Sequence, residues 1–300
     1  MTGRPEETAG VASVDLSGAV VLVTGATSGV GRETALSLGR LGATVIAHGR
    51  SPEKFVALED ELDGTEATGY ETVQGDFLDL DAVRDLAAHV EDAYDGLDVL
   101  VNNAAAYFAD GGLSPDGVER TVVVNHLAPF VLTTRLASVL ESNGGRVVTT
   151  SSDVHRRGDF DFDALESISG YDGFAAYRRS KFANVLFTKS LARRLEAATA
   201  TCFHPGFVPG SGLYRNGSLP VRAFMGALDA LPSTVTGRFV SEPADGAATA
   251  VYLAASPSVE DETGTYYDDL ERADPAPETT EESLQRRLWE WSARITGETV

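Results

Sequence analysis

Tyr177 and Lys181 are the side chains in this sequence whose types and spacing most directly indicate chemistry. The segment around them has helical spacing, and a separation of four residues places both side chains on one face of a helix. A free phenol, with a pKa of about 10, is a poor base at neutral pH, whereas a nearby ammonium favours the phenolate and lowers that pKa. Such pairs are also common on solvated helix faces, so the meaning of this one depends on the motifs around it.

Polar side chains also occur in places that would bring them near this pair. The run Arg146–Ser152 reads RVVTTSS, a β-rich strand that ends in hydroxyl groups. Asn102–Ala105 follows another apolar strand. Asn125 lies within the apolar helical run Val122–Leu132, where an asparagine is unfavourable unless it has a function or a local hydrogen-bond partner. With these polar residues as neighbours, the Tyr–Lys pair is expected to have a catalytic role.

A glycine-rich turn, Thr24–Gly31, follows the first predicted strand directly, and a helix is predicted from Arg32. Glycines at such a turn allow the backbone to approach a pyrophosphate, and the helix N-terminus offers free N–H groups and the positive end of the dipole. The spacing is G-x3-G-x-G rather than G-x-G-x-x-G, and a plain tight turn is the alternative. The cofactor contacts predicted here come from Gly25, Thr27, Ser28, Gly29, Val30 and Gly31.

The end of the second predicted strand indicates which dinucleotide would bind. It reads His48-Gly49-Arg50-Ser51, without the carboxylate that would bind the ribose hydroxyl of NAD. The Arg50 guanidinium suits the 2′-phosphate of NADP, and Arg32 could add to it, unless both are ordinary surface arginines. Asp76, after the third strand, could accept a hydrogen bond from the adenine amino group or cap the next helix. The sequence therefore predicts NADP(H), with NAD(H) the less favoured cofactor.

Taken together, these motifs resemble the short-chain dehydrogenase/reductase family over about residues 16–296, and its retinol-dehydrogenase-like branch in particular. The matching family segments are Thr24–Gly31, Asn102–Ala105 with Ala105 in place of a glycine, Asn125, Ser152, Tyr177, Lys181 and the turn Pro205-Gly206. The branch features are the run Tyr177–Phe187, the 25-residue step from Ser152 to Tyr177, and Leu288–Glu290.

The resemblance implies a catalytic set of Asn125, Ser152, Tyr177 and Lys181. Ser152 and Tyr177 would hydrogen-bond the substrate oxygen, and Tyr177 would transfer the proton. Lys181 would lower the pKa of Tyr177 and bind the nicotinamide ribose, while Asn125 would hold a water linked to Lys181. The resemblance also implies cofactor contacts from Asp76, Phe77, Asn103, Ala104, Tyr177, Lys181, Pro205, Gly206 and Val208, the last near a position where relatives often have threonine.

The predicted function is therefore NADP(H)-dependent interconversion of an alcohol and a carbonyl compound by hydride transfer. One alternative is an NAD(H)-preferring dehydrogenase, against which Arg50 argues. Another is a catalytically weak cofactor-binding sensor or scaffold on the same fold, although such proteins usually lose the tyrosine or the lysine. The five histidines form no spaced ligand cluster, so no metal is expected. An apolar or bulky substrate is suggested by aromatic residues in or near two predicted loops, unless they simply pack: Phe160, Phe162, Tyr171, Phe174, Phe207 and Tyr214.

Short β-rich runs alternate with helical segments, a pattern typical of a parallel sheet covered on both faces. We therefore predict a single-domain α/β Rossmann fold, doubly wound, with helices on both faces. Residues 1–15 are expected to form a flexible arm before a domain at 16–300, residues 205–240 a substrate loop, and residues 281–295 a terminal helix. Long helices are predicted over Asp116–Leu140 and Phe174–Ala198. The predicted strands are Ala19–Thr24, Thr44–Ala47, Val99–Asn102, Arg146–Ser151, Ala200–His204 and one near Thr265.

The charge of the chain limits its partners. Its 300 residues include 24 basic and 45 acidic side chains, a net charge of −21 that repels nucleic acid and anionic membranes. The acidity fits an ordinary acidic bacterial protein or, given few lysines, adaptation to high salt. A single cysteine, Cys202, a polar N-terminus and no apolar run approaching roughly 20 residues predict a cytoplasmic protein without a disulfide. The family resemblance implies a homodimer or homotetramer built on the helices that contain Asn125 and Tyr177.

Overall fold

Eight strands form one sheet at the centre of the protein, in the computed structural model that describes residues 3–157, 160–209, 212–229 and 240–298. The strands are β1 Val20–Thr24, β2 Thr44–Gly49, β3 Gly69–Gln74, β4 Val99–Asn102, β5 Arg146–Thr150, β6 Thr199–His204, β7 Thr265–Asp268 and β8 Glu271–Arg272. Their order is β3-β2-β1-β4-β5-β6-β7-β8. Every neighbouring pair is parallel except β7 and β8, which are antiparallel.

Helices connect the strands and cover the sheet. In chain order they are α1 Pro5–Thr8, α2 Gly29–Arg40, α3 Phe55–Leu62, α4 Leu80–Ala93, α5 Arg120–Val122, α6 Ala128–Arg135, α7 Ala137–Ser142, α8 Gly173–Ala192, α9 Leu219–Asp229, α10 Pro243–Ala255 and α11 Glu282–Thr296. Apolar residues of α4, α6, α8 and α11 share one core, and those of α2, α3 and α10 share the other.

Both faces of the sheet are buried at its central strands, which explains why β1, β2 and β4 read as apolar runs. Successive residues of a strand point to opposite faces. On β1, Leu22 belongs to the core with α4, whereas Val21 and Val23 belong to the core with α2. A parallel sheet with helices on both faces requires apolar residues at every central position. The predicted single-domain, doubly wound Rossmann fold is confirmed.

The N-terminal segment packs on the domain and is not a loose arm. Glu6 of α1 is only 4% exposed, and its carboxylate accepts two hydrogen bonds from Arg40 of α2, Nε to Oε1 at 2.6 Å and Nη2 to Oε2 at 3.0 Å. Val11 is buried in the core that contains α2 and α10. A bidentate, shielded ion pair and apolar burial hold the segment in place. The prediction of a flexible arm over residues 1–15 is therefore wrong for residues 3–15.

The helix predicted over Asp116–Leu140 is interrupted at its most polar point. After α5 the chain forms a π-helical turn, Val123–Leu127, before α6 and then α7. Pro129 has no N–H, so it cannot donate the bond that a regular α-helix would place on the Asn125 carbonyl. Widened turns of this kind are frequent at functional sites. Asn125 thus lies where the helix departs from regular geometry.

Two further predicted segments differ in extent from the structure. The helix expected to reach Ala198 ends at Ala192, and β6 begins at Thr199. The predicted substrate loop, 205–240, contains α9, while its residues 210–211 and 230–239 lie outside the described residues. The terminal helix predicted over residues 281–295 is found one residue later, as α11.

None of the described helices combines the length and apolar character needed to cross a bilayer.

Helix α11 covers the outer sides of α6 and α8. The ring of Trp289 lies 5.0 Å from that of Phe130 on α6 and 6.0 Å from that of Phe187 on α8, centroid to centroid. Trp289 is 8% exposed. These helices are in the region expected to carry an oligomer interface, and α11 covers part of their surface.

We expect Trp289→Ala to lower the free energy of unfolding by about 3–5 kcal/mol, because a buried indole leaves a cavity between three helices. Leu219→Ala on α9 is the control, since Leu219 is 77% exposed and its truncation should change stability by less than about 0.5 kcal/mol. Reversible urea unfolding of both variants measures the difference. Equal stabilities of the two variants would show that α11 does not stabilise the domain.

Candidate active site

The site begins where β1 and β4 lie side by side, the point at which the order of the sheet reverses. Ligands of open α/β sheets bind beyond the carboxyl ends of the strands at such a point. Here the Thr24 hydroxyl donates to Val101 O at 3.2 Å and accepts from the backbone N–H groups of Asn103 and Ala104 at 2.9 and 3.0 Å. Asn103 Nδ2 returns a bond to Thr24 O at 2.9 Å. These bonds fix the two strand ends that form the floor of the site.

A cavity of about 310 Å³ opens above these strand ends and contains most of the predicted site residues. The predicted residues that line it are Gly25, Thr27, Ser28, Val30, Gly31, Arg50, Asp76, Phe77, Asn103, Ala104, Ser152, Tyr177, Lys181, Pro205, Gly206 and Val208. Gly29 and Asn125 do not line it. Gly29, the first residue of α2, instead has a φ of +57°, which a glycine adopts without strain.

One end of the cavity fits a dinucleotide phosphate group. Ser28 precedes the first turn of α2 and makes no side-chain cap hydrogen bond, so the N-terminal N–H groups of α2 are not capped by it. Gly25 has a φ of +69°, and a Cβ there would lie 2.9 Å from Ala104 Cα. The close approach of the two turns thus requires a glycine. This turn and helix terminus would hold a pyrophosphate.

The neighbouring wall comes from the ends of β2 and β3. The His48 ring stacks on Phe77 with centroids 4.2 Å apart, and burial lowers the pKa of His48 to about 4, which keeps the ring neutral. Arg50 follows the strand and lines the same cavity. Asp76 Oδ1 accepts from Leu78 N at 3.1 Å, whereas the cap of α4 is Asp79. Capping of that helix therefore does not account for Asp76.

At the other end, Tyr177 and Ser152 are close enough for a hydrogen bond between their side chains. Burial raises the pKa of Tyr177, the nearby Tyr214 raises it further, and the bond with Ser152 lowers it. The predicted lowering by Lys181 is not found in this arrangement. The Lys181 ammonium lies 5.7 Å from the Tyr177 ring centroid and donates to Thr150 O at 2.9 Å.

Lys181 is a buried cation with a single described acceptor. Its side chain is 1% exposed, and burial lowers its pKa to about 7. Asn184 Nδ2 also donates to Thr150 O, at 3.1 Å, and Ser151 Oγ donates to Lys181 O at 2.9 Å. The end of β5 and the middle of α8 are thus joined by three hydrogen bonds. Lys181 is thus held next to the end of β5, where Ser152 follows the strand.

Asn125 connects two elements of the site without facing the cavity. Its Oδ1 accepts from Ala106 N at 2.7 Å, and its Nδ2 donates to Ala106 O and Ser180 Oγ, each at 3.0 Å. Ser180 Oγ donates to Tyr177 O at 2.8 Å. Asn125 therefore holds the segment after β4 against the turn of α8 that carries Tyr177. Its predicted role in holding a water stays a prediction.

His155 positions the serine from the outer side, a role that the sequence did not reveal. Its Nε2 accepts from Ala276 N at 3.0 Å, so the proton is on Nδ1, which donates to Ser152 O at 2.6 Å. Burial lowers the pKa of His155, which keeps this neutral form. Ala276 lies 121 residues from His155 in the chain, too far for any local pattern to connect them.

Only two of the six aromatic residues suggested for the substrate pocket line the cavity, Phe207 and Tyr214. Phe160 instead packs on Phe182 of α8, with ring centroids 5.1 Å apart. Phe162 also packs on Phe160, Tyr171 donates to Phe108 O, and Phe174 is 41% exposed. Tyr107, which the sequence did not single out, places its ring 5.6 Å from that of Tyr214.

Comparison with known proteins gives a consistent result. The family model described as short chain dehydrogenase matches residues 19–216. Retinol dehydrogenase 14 of Mus musculus is 37% identical over 296 residues, which cover 94% of this chain and 87% of that protein. A Streptomyces sp. (strain C5) protein, provisionally named a daunorubicin C-13 ketoreductase, is 36% identical over 288 residues, 95% of each chain.

A solved structure extends the comparison to a bound cofactor. It is described as a short chain dehydrogenase from Escherichia coli CFT073 complexed with NADPH. The two chains are 25% identical and superpose with a TM-score of 0.66, covering 85% of this chain and 98% of the other.

We expect Lys181→Met to make the protein more stable than the wild type at pH 6, by on the order of 1–4 kcal/mol, because the variant buries no charge. The pKa of Lys181 is about 7 in the fold, against 10.5 as its ordinary value. Between these pH values the unfolded chain binds more protons, so wild-type stability rises with pH and the advantage of the variant shrinks.

Urea unfolding from pH 6 to pH 10 measures this difference, and Lys189→Met is the control for removing a lysine from the same helix. A Lys181→Met protein less stable than the wild type at pH 6 would contradict the assignment of Lys181 as a buried, destabilising charge.

Proposed function

We propose that this chain, which belongs to the short-chain dehydrogenase family, is an NADP(H)-dependent enzyme that interconverts an apolar alcohol and its carbonyl compound. Family membership makes the chain an NAD(P)-dependent oxidoreductase acting on CH–OH groups, as the sequence predicted. The resemblance to the retinol-dehydrogenase-like branch is also confirmed. The preference for NADP(H), the use of Tyr177 and the class of substrate are our proposals.

One observation carries the proposal: a single cavity has Ser152, Tyr177 and Lys181 at one end and Arg50 at the other. An extended ligand with a reactive end and an anionic end would contact both groups. Its charge pattern differs from that of the whole chain. The lining includes four cationic side chains (Arg50, Arg157, Lys181 and Arg215) and two acidic ones (Asp76 and Asp153), against 24 basic and 45 acidic residues overall. This excess of positive charge favours a phosphorylated cofactor.

The catalytic residues divide the work on the substrate oxygen. Ser152 would donate a hydrogen bond to it and orient it. Tyr177 would give it a proton during reduction and remove one during oxidation, because its hydroxyl is adjacent to Ser152. The bound nicotinamide supplies or accepts the hydride. We assign Lys181 to the nicotinamide ribose and to stabilising the charge that develops on the Tyr177 oxygen.

The choice of NADP(H) rests on the end of β2. No carboxylate directly follows this strand, and the first charged residue after it is Arg50, which lines the cavity. A planar guanidinium binds a phosphate through two parallel hydrogen bonds, whereas the ribose hydroxyl of NAD is usually bound by an acid at this place. The NADPH bound in the Escherichia coli relative supports the same choice.

An apolar or bulky substrate is supported by the residues around the reactive end. Phe207, Leu213, Tyr214 and Val154 line the cavity there with mostly carbon surface. The two relatives described above are named for retinol and daunorubicin, both large molecules with extended apolar parts. Cytoplasmic location, oligomerisation and the absence of membrane or nucleic-acid partners stay predictions.

We expect Tyr177→Phe to lower kcat for reduction of an apolar aldehyde by about 10²–10⁴-fold, because the proton donor is lost. The Kd for NADPH should change by less than about threefold, since the phenyl ring still fills its place. Steady-state rates with all-trans-retinal, decanal and benzaldehyde, and fluorescence titration with NADPH, give both quantities. Tyr252→Phe is the matched control, because Tyr252 packs on Tyr267 of β7, away from the cavity lining.

A Tyr177→Phe enzyme with wild-type turnover would exclude Tyr177 as the acid–base. A wild-type protein that binds NADPH but reduces none of these aldehydes nor a polycyclic aromatic ketone would favour the cofactor-binding sensor.

We expect Arg50→Gln to raise the Kd for NADPH by about 10–100-fold and to leave that for NADH within about threefold. A hydrogen bond to a charged group contributes about 1.5–3 kcal/mol, and only NADPH has the 2′-phosphate. Lys54→Gln removes an exposed charge four residues further along and serves as control. Titrations of each variant with the two cofactors measure the effect. Equal weakening of both cofactors would place Arg50 elsewhere than at the 2′-phosphate.

A further inference from the structure

The segment that follows β6 carries a single charge, and it lies in the cavity. From Pro205 to Val221 the only ionisable cation or acid is Arg215, apart from the phenol of Tyr214. Arg215 ends a short 3-10 turn that begins at Leu213 and lines the same cavity as Arg50. None of the site motifs in the sequence includes this arginine.

The turn is anchored by backbone hydrogen bonds to the segment after β4. Tyr107 N donates to Leu213 O at 3.3 Å, and Ala109 N donates to Asn216 O at 3.1 Å. Arg215 itself donates from Nε to Gly212 O at 2.9 Å. Because the backbone on both sides of Arg215 is held, the guanidinium is directed by the fold and does not depend on another side chain for its place.

Arg215 and Arg50 are two cations without described counter-ions. Burial lowers the pKa of Arg215, and the proximity of Arg50 lowers it further. Neither arginine forms an ion pair with any carboxylate in the part of the chain that the structure describes. In a chain with a net charge of −21, a half-buried Arg50 and an exposed Arg215 that line one cavity, near each other and without a described carboxylate partner, favour a bound anion.

The position of Arg215 relative to α2 distinguishes between the phosphates of the cofactor. Arg215 Nη2 and Ser28 Oγ lie 3.3 and 3.5 Å from the point where a Cβ on Gly212 would be. Ser28 is the residue before the first turn of α2, the place expected for the pyrophosphate, whereas Arg50 lies beyond the end of β2. Arg215 is therefore next to the helix terminus.

We propose that Arg215 binds the pyrophosphate of the nicotinamide cofactor, while Arg50 binds the 2′-phosphate; this inference rests on the proposed function. Tyr214, the preceding residue, contacts the ring of Tyr107 and lies near Tyr177. The turn thus joins a phosphate contact to one wall of the substrate end. Cofactor binding would fix that wall before the substrate enters.

The test is equilibrium binding of NADPH, NADH and 2′-AMP to Arg215→Gln, Arg215→Lys and Arg50→Gln proteins. We expect Arg215→Gln to raise the Kd for NADPH and NADH alike by about 10–100-fold and to leave that for 2′-AMP unchanged, because 2′-AMP has no pyrophosphate. Arg50→Gln should weaken NADPH and 2′-AMP but not NADH. Arg215→Lys should recover part of the affinity, since it keeps a point charge.

Arg222→Gln, an exposed arginine on α9, is the matched control for the change of net charge, and thermal unfolding without cofactor shows that each variant is folded. Loss of NADPH affinity alone in Arg215→Gln would overturn the assignment to the pyrophosphate, and no loss for either cofactor would overturn a phosphate role altogether. Both results differ from failure of the proposed function, in which the wild type itself binds neither NADPH nor NADH.

Discussion

The burial of one ammonium, that of Lys181, sets conditions that the centre of this protein has to meet. An uncompensated charge in the interior is costly, and here its described acceptor is a single carbonyl oxygen, Thr150 O. Asn184 donates to the same oxygen, so a shift of the strand end would leave two buried donors without a hydrogen-bond acceptor. The Ser151 hydroxyl closes the arrangement onto α8. Ser152 directly follows Thr150 and Ser151, which these hydrogen bonds hold in place. The position of its hydroxyl beside Tyr177 is therefore determined by the fold.

At the other end of the cavity, positive side chains again lack described negative partners. The chain is strongly acidic, yet its carboxylates do not neutralise the arginines at the phosphate end, and the neutral ring of His48 forms the wall beside them. A ligand with two anionic groups separated by a ribose could pair with both Arg50 and Arg215. Among its described residues, the site therefore lacks negative charge to balance these two arginines, although its side chains are well fixed in position.

Sequence reasoning succeeded where a structural feature depends on neighbours in the chain. The strand Val99–Asn102 was predicted to the residue, because apolar runs bounded by short turns are local signals. Motifs also identified the candidate catalytic residues, of which Ser152, Tyr177 and Lys181 line one cavity. The packed N-terminal segment and His155 were not, because their partners are distant in sequence. The expected lowering of the Tyr177 pKa by Lys181 was not found, because burial, which a motif does not report, raises this pKa and the ammonium makes no contribution to it in this arrangement.

The end of the chain shows how distant contacts complete the site. In the sequence, Leu288–Glu290 was only a mark of resemblance. In the structure, the tail reaches the catalytic elements twice: Ala276 N fixes the neutral form of His155 behind Ser152, and Ser292 bonds His126, the residue after Asn125, at 2.8 Å. None of the four residues that make these two contacts lines the cavity. The tail therefore supports two candidate catalytic residues, Ser152 and Asn125, from outside the cavity.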